Sequence, residues 1–231
     1  MKIHWFRGNE WSGSSGNAGD WLTPYFLHKL TDVHIEWVDA KDAEMFGCGS
    51  IIELIPEDFK GIIFTTGMMS EKSSRHDLSG AKILGLRGPL TAERIMVEGG
   101  AVPFGDLGLL CSLFNPNEKK QYELGAIPHY IDDREFAGHI IDVRGGIEHV
   151  LREISKCERI VSSSLHGIIL CDALGVENKW SPHVKVLGKG FKFRDYAAAF
   201  GETIGAETWR LGNQEVIANI AVELESIIGQ L

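Results

Sequence analysis

Short apolar runs alternate with polar, glycine-marked breaks along the whole chain, and the period of each run assigns it to a strand or a helix. "KIHWFR", "VHIEWV", "GIIFTT" and "AKILGLR" read as strands, and "GDWLTPYFLHKL" reads as a helix between the first two. "GPLTAERIMVEG" predicts another helix, with Pro89 in its first turn where the missing amide costs least. After "GDLGLLCSLF" and the polar break "NPNEKK" the alternation resumes with "LGAIPHY", "GHIIDV", "GGIEHVLREISKC", "ERIVSSS" and "LHGIILCDAL". The tail "GNQEVIANIAVELESIIGQL" has apolar positions at helical spacing and predicts a packing helix, while "SGSSGN" at residues 12–17 reads as a polar, glycine-rich loop. The pattern is that of an α/β protein with two βαβ-rich halves: a Rossmann-like unit over residues 1–118, a second over 119–205, and a packing helix over 206–231. Parallel sheets of this kind place ligands at the carboxyl ends of their strands.

Composition narrows the classes of function. The chain has 231 residues, enough for a proper core without a staple. Its four cysteines, Cys48, Cys111, Cys157 and Cys171, include no CxxC pair, which gives no support to a zinc knuckle or a dithiol motif and fits a reducing, cytoplasmic setting. "MKIHWFRGNEW" lacks an apolar leader core, and no apolar run reaches the roughly 20 residues of a spanning helix, so a soluble chain is expected, with peripheral membrane contact left open. A formal charge of -9, from 32 acidic and 23 basic groups, argues against nonspecific nucleic-acid binding. The sequence has no GxGxxG after the first strand, no GxxxxGK[ST], no HExxH and no GxSxG.

Chemistry concentrates at turns. "SSSLHG", residues 162–167, joins an apolar strand to an apolar helix; Ser164 there is a candidate N-cap. Ser162, Ser163, Ser164 and the first helical amides would make a small receptor for phosphate or carboxylate, with His166 as donor or proton carrier. The alternative is simple capping, with His166 bonded to a neighbouring carbonyl. Arg87 closes "KILGLR" and either grips an anion bidentately or neutralises a surface acid. Asn17 and Asp20 of "GNAGD" and Asp106 of "PFGDLG" pose the choice between helix caps and active-site carboxylates. His129 of "IPHYIDD" stands at a strand end just before Asp132 and Asp133, a spacing that does not by itself make a metal site. Lys185, Lys189, Lys192 and Arg194, interleaved with Phe191, Phe193 and Tyr196, form either a lid over an anionic substrate or a solvated loop followed by a helix.

Taken in order, "GNAGD", "ILGLRGPLT", "PFGDLGLL", "AIPHYID", "CERIVSSSLHGIILCDALG" and "GKGFKFRDY" closely resemble the polysaccharide pyruvyl transferase family, from residue 5 to about residue 201. The resemblance implies a compact two-domain fold similar to GT-B glycosyltransferases. It also implies transfer of a pyruvyl group from phosphoenolpyruvate to sugar hydroxyls, usually as a cyclic ketal, with a lipid-linked or cell-wall glycan as acceptor. Such an enzyme would work in the cytoplasm at the inner face of a bacterial membrane, and requires neither metal nor cofactor beyond the donor substrate. By motif, His166 resembles the family's catalytic, donor-contacting histidine and Arg87 its anion-binding arginine. Asn17 and Asp20 match the N-x-GD turn on the acceptor side, and Asp106 matches a GD motif that proline often follows, although here Leu107 follows. Where many relatives carry an arginine two places before the histidine, this chain has Ser164, so Lys189, Lys192 or Arg194 would supply the positive charge. Asp20 and Asp106 would share the acid and base roles. Two other readings stand beside this one: a nucleotide-sugar glycosyltransferase, and a noncatalytic glycan-binding protein. Oligomeric state is not legible.

Overall fold

The computed structural model describes residues 1–8, 16–96 and 102–231. Among them are two five-stranded sheets, and the fold is mixed α/β. The first sheet takes β1 (Lys2–His4), β2 (Glu36–Trp37), β3 (Met45–Phe46), β4 (Ile62–Thr66) and, after the short β5 (His76–Asp77), β6 (Lys82–Leu86). Its spatial order is β2-β1-β3-β4-β6, and every pair is parallel. β5 instead pairs with β7 (Ile95–Met96) in a separate two-stranded ribbon.

The second sheet is built from β8 (Tyr122–Ile127), β9 (His139–Ile140), β10 (Cys157–Ser162), β11 (Glu177–Trp180) and β12 (Trp209–Arg210). Read from its other edge, its order is β9-β8-β10-β11-β12, parallel except for the β11–β12 pair. Both sheets therefore follow one plan: the second strand lies outside the first, and the third lies on its opposite side. This reversal leaves a crevice beyond the carboxyl ends of β1 and β3 in one sheet, and of β8 and β10 in the other, where α/β proteins hold ligands.

The helices follow from where apolar residues repeat. α1 (Leu22–Leu30) and α3 (Ile147–Ser155) are amphipathic; α3 buries Ile147, Val150, Leu151 and Ile154, the i, i+3, i+4, i+7 stripe of one face. α4 (Leu165–Ala173) is apolar nearly all round and is buried nearly all round. α6 (Gln214–Ile228) starts at an Asn213 cap and buries Ile217, Ala221, Leu224 and Ile228. The largest apolar cluster runs from Ile3, Leu22 and Phe26 of the first half to Ile127, Val150 and Ile160 of the second. The 3-10 helix Leu107–Phe114 packs between α4 and α6.

Some expected elements differ. The helix expected over "GPLTAERIMVEG" spans only α2 (Pro89–Ala92) before the chain turns into β7; residues 97–99 of that stretch lie outside the described residues, as do residues 12–15 of the expected polar loop. β-branched Ile95 pairs with His76 across the ribbon, and tertiary pairing outweighs the local helical signal. No helix among the described residues is long and apolar enough to cross a membrane.

Candidate active site

A cleft of about 460 Å³ opens where the two crevices face one another; its walls include Phe6, Asn17, Asp20 and Ser50 from the first half and His129, Ser164, His166 and Lys192 from the second. Its floor is set by the turn from β10 into α4. Ser164 has the extended backbone of an N-cap, but its side chain makes no capping bond. Ser162 braces the turn instead: its hydroxyl donates to the carbonyl of Ile127 at 2.8 Å and accepts from the Ser164 amide at 3.0 Å. Ser163 Oγ accepts from the His129 amide at 2.9 Å. Ser162 and Ser163 are thus occupied in shaping the turn, and the expected three-serine receptor reduces to Ser164. The first intrahelical bond, from Ile168 N to Ser164 O, leaves the amides of Leu165, His166 and Gly167 for a ligand or solvent. Leu165 and His166 both line the cleft.

The N-terminal half supplies the opposite wall. Asn17 caps the 3-10 helix Ala18–Trp21 by accepting from Gly19 N at 2.9 Å, while Asp20 Oδ2 accepts from the Asn17 amide at 2.8 Å and from Asn17 Nδ2 at 2.6 Å. This capping box fixes a buried carboxyl at the cleft. Burial raises the Asp20 pKa from 3.8 to about 7, against the lowering effect of the Asn17 bonds and the Lys192 charge. Gly19 is needed for close approach, since a Cβ there would lie 1.9 Å from the His166 ring.

His166 Nε2 points inward, 3.4 Å from Cys48 Sγ and 4.0 Å from Asp106 Oδ2. Asp106 is the N-cap of Leu107–Phe114; its Oδ1 accepts from Gly108 N at 2.9 Å and from the Cys48 thiol at 3.4 Å. Oδ2 of Asp106 is buried and has no hydrogen-bond partner among the described residues. Burial pulls the His166 pKa down, Asp106 pushes it back up, and Lys192 and Arg87 add to the lowering, so the imidazole is neutral near pH 7. Burial, and then Asp106, raise the Cys48 thiol well above its usual 9.0. The donor atoms of Cys48, Asp106 and His166 lie within 4.8 Å of one another and would fit a metal ion in chemistry, as would Asp132, Asp133 and His183. In the latter group Arg134 and Lys185 already pair with Asp132 and Asp133.

The positive side is Lys192, in the first turn of α5 (Phe191–Ala198). Its side chain is buried at the cleft; burial lowers its pKa from 10.5 to about 8, Arg87 lowers it further and Asp20 opposes this. No side chain among the described residues accepts a hydrogen bond from it. Lys189 and Arg194 do not line this cleft: Lys189 is exposed beside a neighbouring hollow, and Arg194 pairs with Glu71 at 3.2 Å. Arg87 is not at the cleft surface either. It is fully buried, with Nε donating to Asp195 at 2.9 Å, one terminal nitrogen to Ser50 Oγ and the other to the Met68 carbonyl, both at 2.6 Å. Its guanidinium grips the protein where an external anion was expected. His129 lines the cleft with its pKa lowered to about 4, by burial first and then by Lys192.

Sequence reading missed Cys48, Ser50 and Asp195. The "FGCGS" turn after β3 was a signal for the first two, since it ends a strand beside the crevice.

Two α/β sheets whose strand ends enclose a buried acid, an imidazole and an ammonium define an α/β enzyme. The family comparison then specifies which: the model for polysaccharide pyruvyl transferases matches residues 17–178, and the chain belongs to that family. Pyruvyl transfer to a glycan is the class of reaction that membership assigns to the chain. The matched segment holds Asn17, Asp20, Cys48, Asp106 and His166 but stops before Lys192. An uncharacterized protein of Acanthamoeba polyphaga mimivirus is 27% identical, over 80% of this chain and 71% of its own length. The succinoglycan biosynthesis protein ExoV of Rhizobium meliloti is 29% identical, over 84% of this chain and 64% of its own length.

Proposed function

We propose that the cleft binds phosphoenolpyruvate and transfers its pyruvyl group to two hydroxyls of one sugar as a cyclic ketal, with release of phosphate. The observation that carries this reading is the placement of Lys192 and the start of α4 on a cleft that also holds Asp20 and His166. A donor with both a phosphate and a carboxylate needs two cationic or amide-rich contacts, and the lysine and the helix terminus provide them. The two sheets, with matching strand order and facing carboxyl ends, support a GT-B-like arrangement with the acceptor on the first half and the donor on the second.

The chemistry requires a proton for the donor's methylene carbon as positive charge develops at C2. Asp20, protonated up to about pH 7, delivers it. A sugar hydroxyl then bonds to C2 and yields its proton to neutral His166, and the C2–O bond to phosphate breaks. The second hydroxyl bonds to C2 and gives its proton to the departing phosphate, while the first hydroxyl's proton, held on His166, passes through solvent to Asp20 and replaces the one spent on the methyl group. Asp106 Oδ2, 4.0 Å behind His166 Nε2, stabilises the imidazolium that forms in between.

Leu54 and Leu187 line the same cleft and are 47% and 67% exposed, which supports a lipid-linked saccharide as acceptor. The test is calorimetry with phosphoenolpyruvate against UDP-, GDP- and CMP-linked sugars. Saturable phosphoenolpyruvate binding that disappears in Lys192→Met is the expected result. Preference for a nucleotide sugar would replace this reading with glycosyl transfer, and glycan binding without phosphate release would replace it with a noncatalytic role.

A further inference from the structure

Arg87 directly follows β6 in the first half, and Asp195 lies on α5 in the second; both side chains are fully buried, and they meet at 2.9 Å. Asp195 is held on both oxygens. Oδ1 accepts from the Thr91 amide at 2.8 Å, and Oδ2 accepts from Thr91 Oγ1 at 2.7 Å as well as from Arg87. Contact extends to the backbone: a Cβ on Gly88 would lie 1.9 Å from the Asp195 carbonyl oxygen, so α5 sits flush on the turn from β6 into α2. Through its other nitrogens Arg87 also ties down Ser50 and Met68. Ser50 and Lys192 both line the cleft, and Lys192 is three residues before Asp195, one helical turn along α5.

A buried ion pair is a poor way to gain stability, because apolar residues of the same volume often do as well or better. What this one does achieve is geometry: it fixes a helix of one half against a turn of the other at the edge of the cleft. We propose that Asp195 is a positioning residue, whose clasp on Arg87 and Thr91 holds the first turn of α5 so that Lys192 is presented to the donor's anionic groups.

The inference rests on the reading of Lys192 as a donor contact, and the experiment separates the two. In the full chain, Asp195→Asn keeps the shape and removes the charge. Three quantities are measured: the Kd for phosphoenolpyruvate by calorimetry, the titration of Lys192 by NMR of 13C-lysine-labelled protein assigned with Lys192→Arg, and Tm. The groups facing Lys192 are Arg87 directly after β6, Asp20 of the 3-10 helix, His129 after β8 and His166 of α4. With Asp195 neutral, the Arg87 charge stands uncompensated, so Lys192 titrates about one unit lower. Phosphoenolpyruvate binding weakens at least about tenfold, and Asp195→Glu recovers part of both. If Tm falls while the Kd and the Lys192 titration keep their wild-type values, the clasp is structural only and the proposal is overturned. The lysine titration needs no donor, so it decides the clasp even if wild-type protein fails to bind phosphoenolpyruvate. Should Asp195→Asn not fold, Thr91→Val removes one bond to the carboxylate without uncovering a charge. It is expected to weaken binding about threefold, and unchanged binding in that variant overturns the proposal as well.

Discussion

Two sets of charged groups are withdrawn from water in this protein, and they differ in how they are satisfied. Behind the second sheet, Asp172 accepts from Arg210 at 2.7 and 2.8 Å, from Asn178 Nδ2 at 2.7 Å and from the Tyr196 hydroxyl at 3.0 Å. Among the described residues at the cleft, Asp20 has only its own cap residue, Asp106 Oδ2 has no hydrogen bond, and Lys192 faces the cavity. Burial raises the pKa of both Asp172 and Asp20, but among the described residues a cation is bonded directly to Asp172 and none to Asp20. A saturated network holds a fold together; an unsaturated one leaves its remaining valences to a substrate. The comparison predicts opposite consequences for mutation on the two sides.

The largest expected effect is on the open side. Asp20→Asn should lower turnover by about 10³-fold, within the usual range for losing a general acid. It should also change how stability depends on pH. The folded Asp20 keeps its proton to about pH 7, whereas the unfolded chain releases it near 3.8, so the folded state binds more protons in between. Stability contributed by this group is therefore complete below about pH 4 and is lost as pH rises through 7. Urea unfolding at pH 5 and pH 8 should show that fall in wild-type protein and a smaller one in Asp20→Asn. Equal falls in the two proteins would place Asp20 with the satisfied groups.

On the closed side, Arg210→Ala strands the buried Asp172 carboxylate and should cost about 3 kcal/mol of stability, read as a lower urea midpoint. Phosphoenolpyruvate binding per folded molecule should be unchanged. Next in size is Lys192→Met, with about a 100-fold loss of donor affinity, the scale of one charge-assisted contact. Its stability should hold or rise, because the ammonium is buried with no bonded carboxylate among the described residues and its pKa is already lowered to about 8. A large drop in Tm for Lys192→Met would show a partner that the comparison omits.

How much of this was legible in the sequence depended on sequence distance. The β10–α4 junction was readable because strand, turn and helix signals are contiguous in "CERIVSSSLHGIILCDAL", and the Asn17–Asp20 capping box was readable because its members are three residues apart. β3, β5 and β7 were not, since two residues carry no periodicity. The choice between Lys192 and Arg194 needed the phase of α5, which turns Lys192 inward with Phe193 and Tyr196 and leaves Arg194 outside, while Lys189 precedes the helix. Arg87 was found as a residue but not in its role, because the carboxylate it grips is 108 positions away. Charge alone cannot say whether an arginine's partner is a ligand or the protein itself.

Cys48 tests where the boundary between the two sets lies. Its thiol is 118 positions from His166, buried, and 3.4 Å from both His166 Nε2 and Asp106 Oδ1. With the thiol pKa well above 9.0, the sulfur keeps its proton and acts as a weak donor, filling space behind the imidazole. Cys48→Ala should then cost about 1 kcal/mol of stability from the small cavity and only a few-fold in turnover, and disulfide reagents should label Cys48 in urea but not in the native protein. A loss of turnover approaching that of Asp20→Asn would instead make the thiol part of the proton path, joining Cys48, Asp106 and His166 into one titrating unit. Its effect would then depend on pH in the range where His166 titrates, which a cavity alone cannot produce.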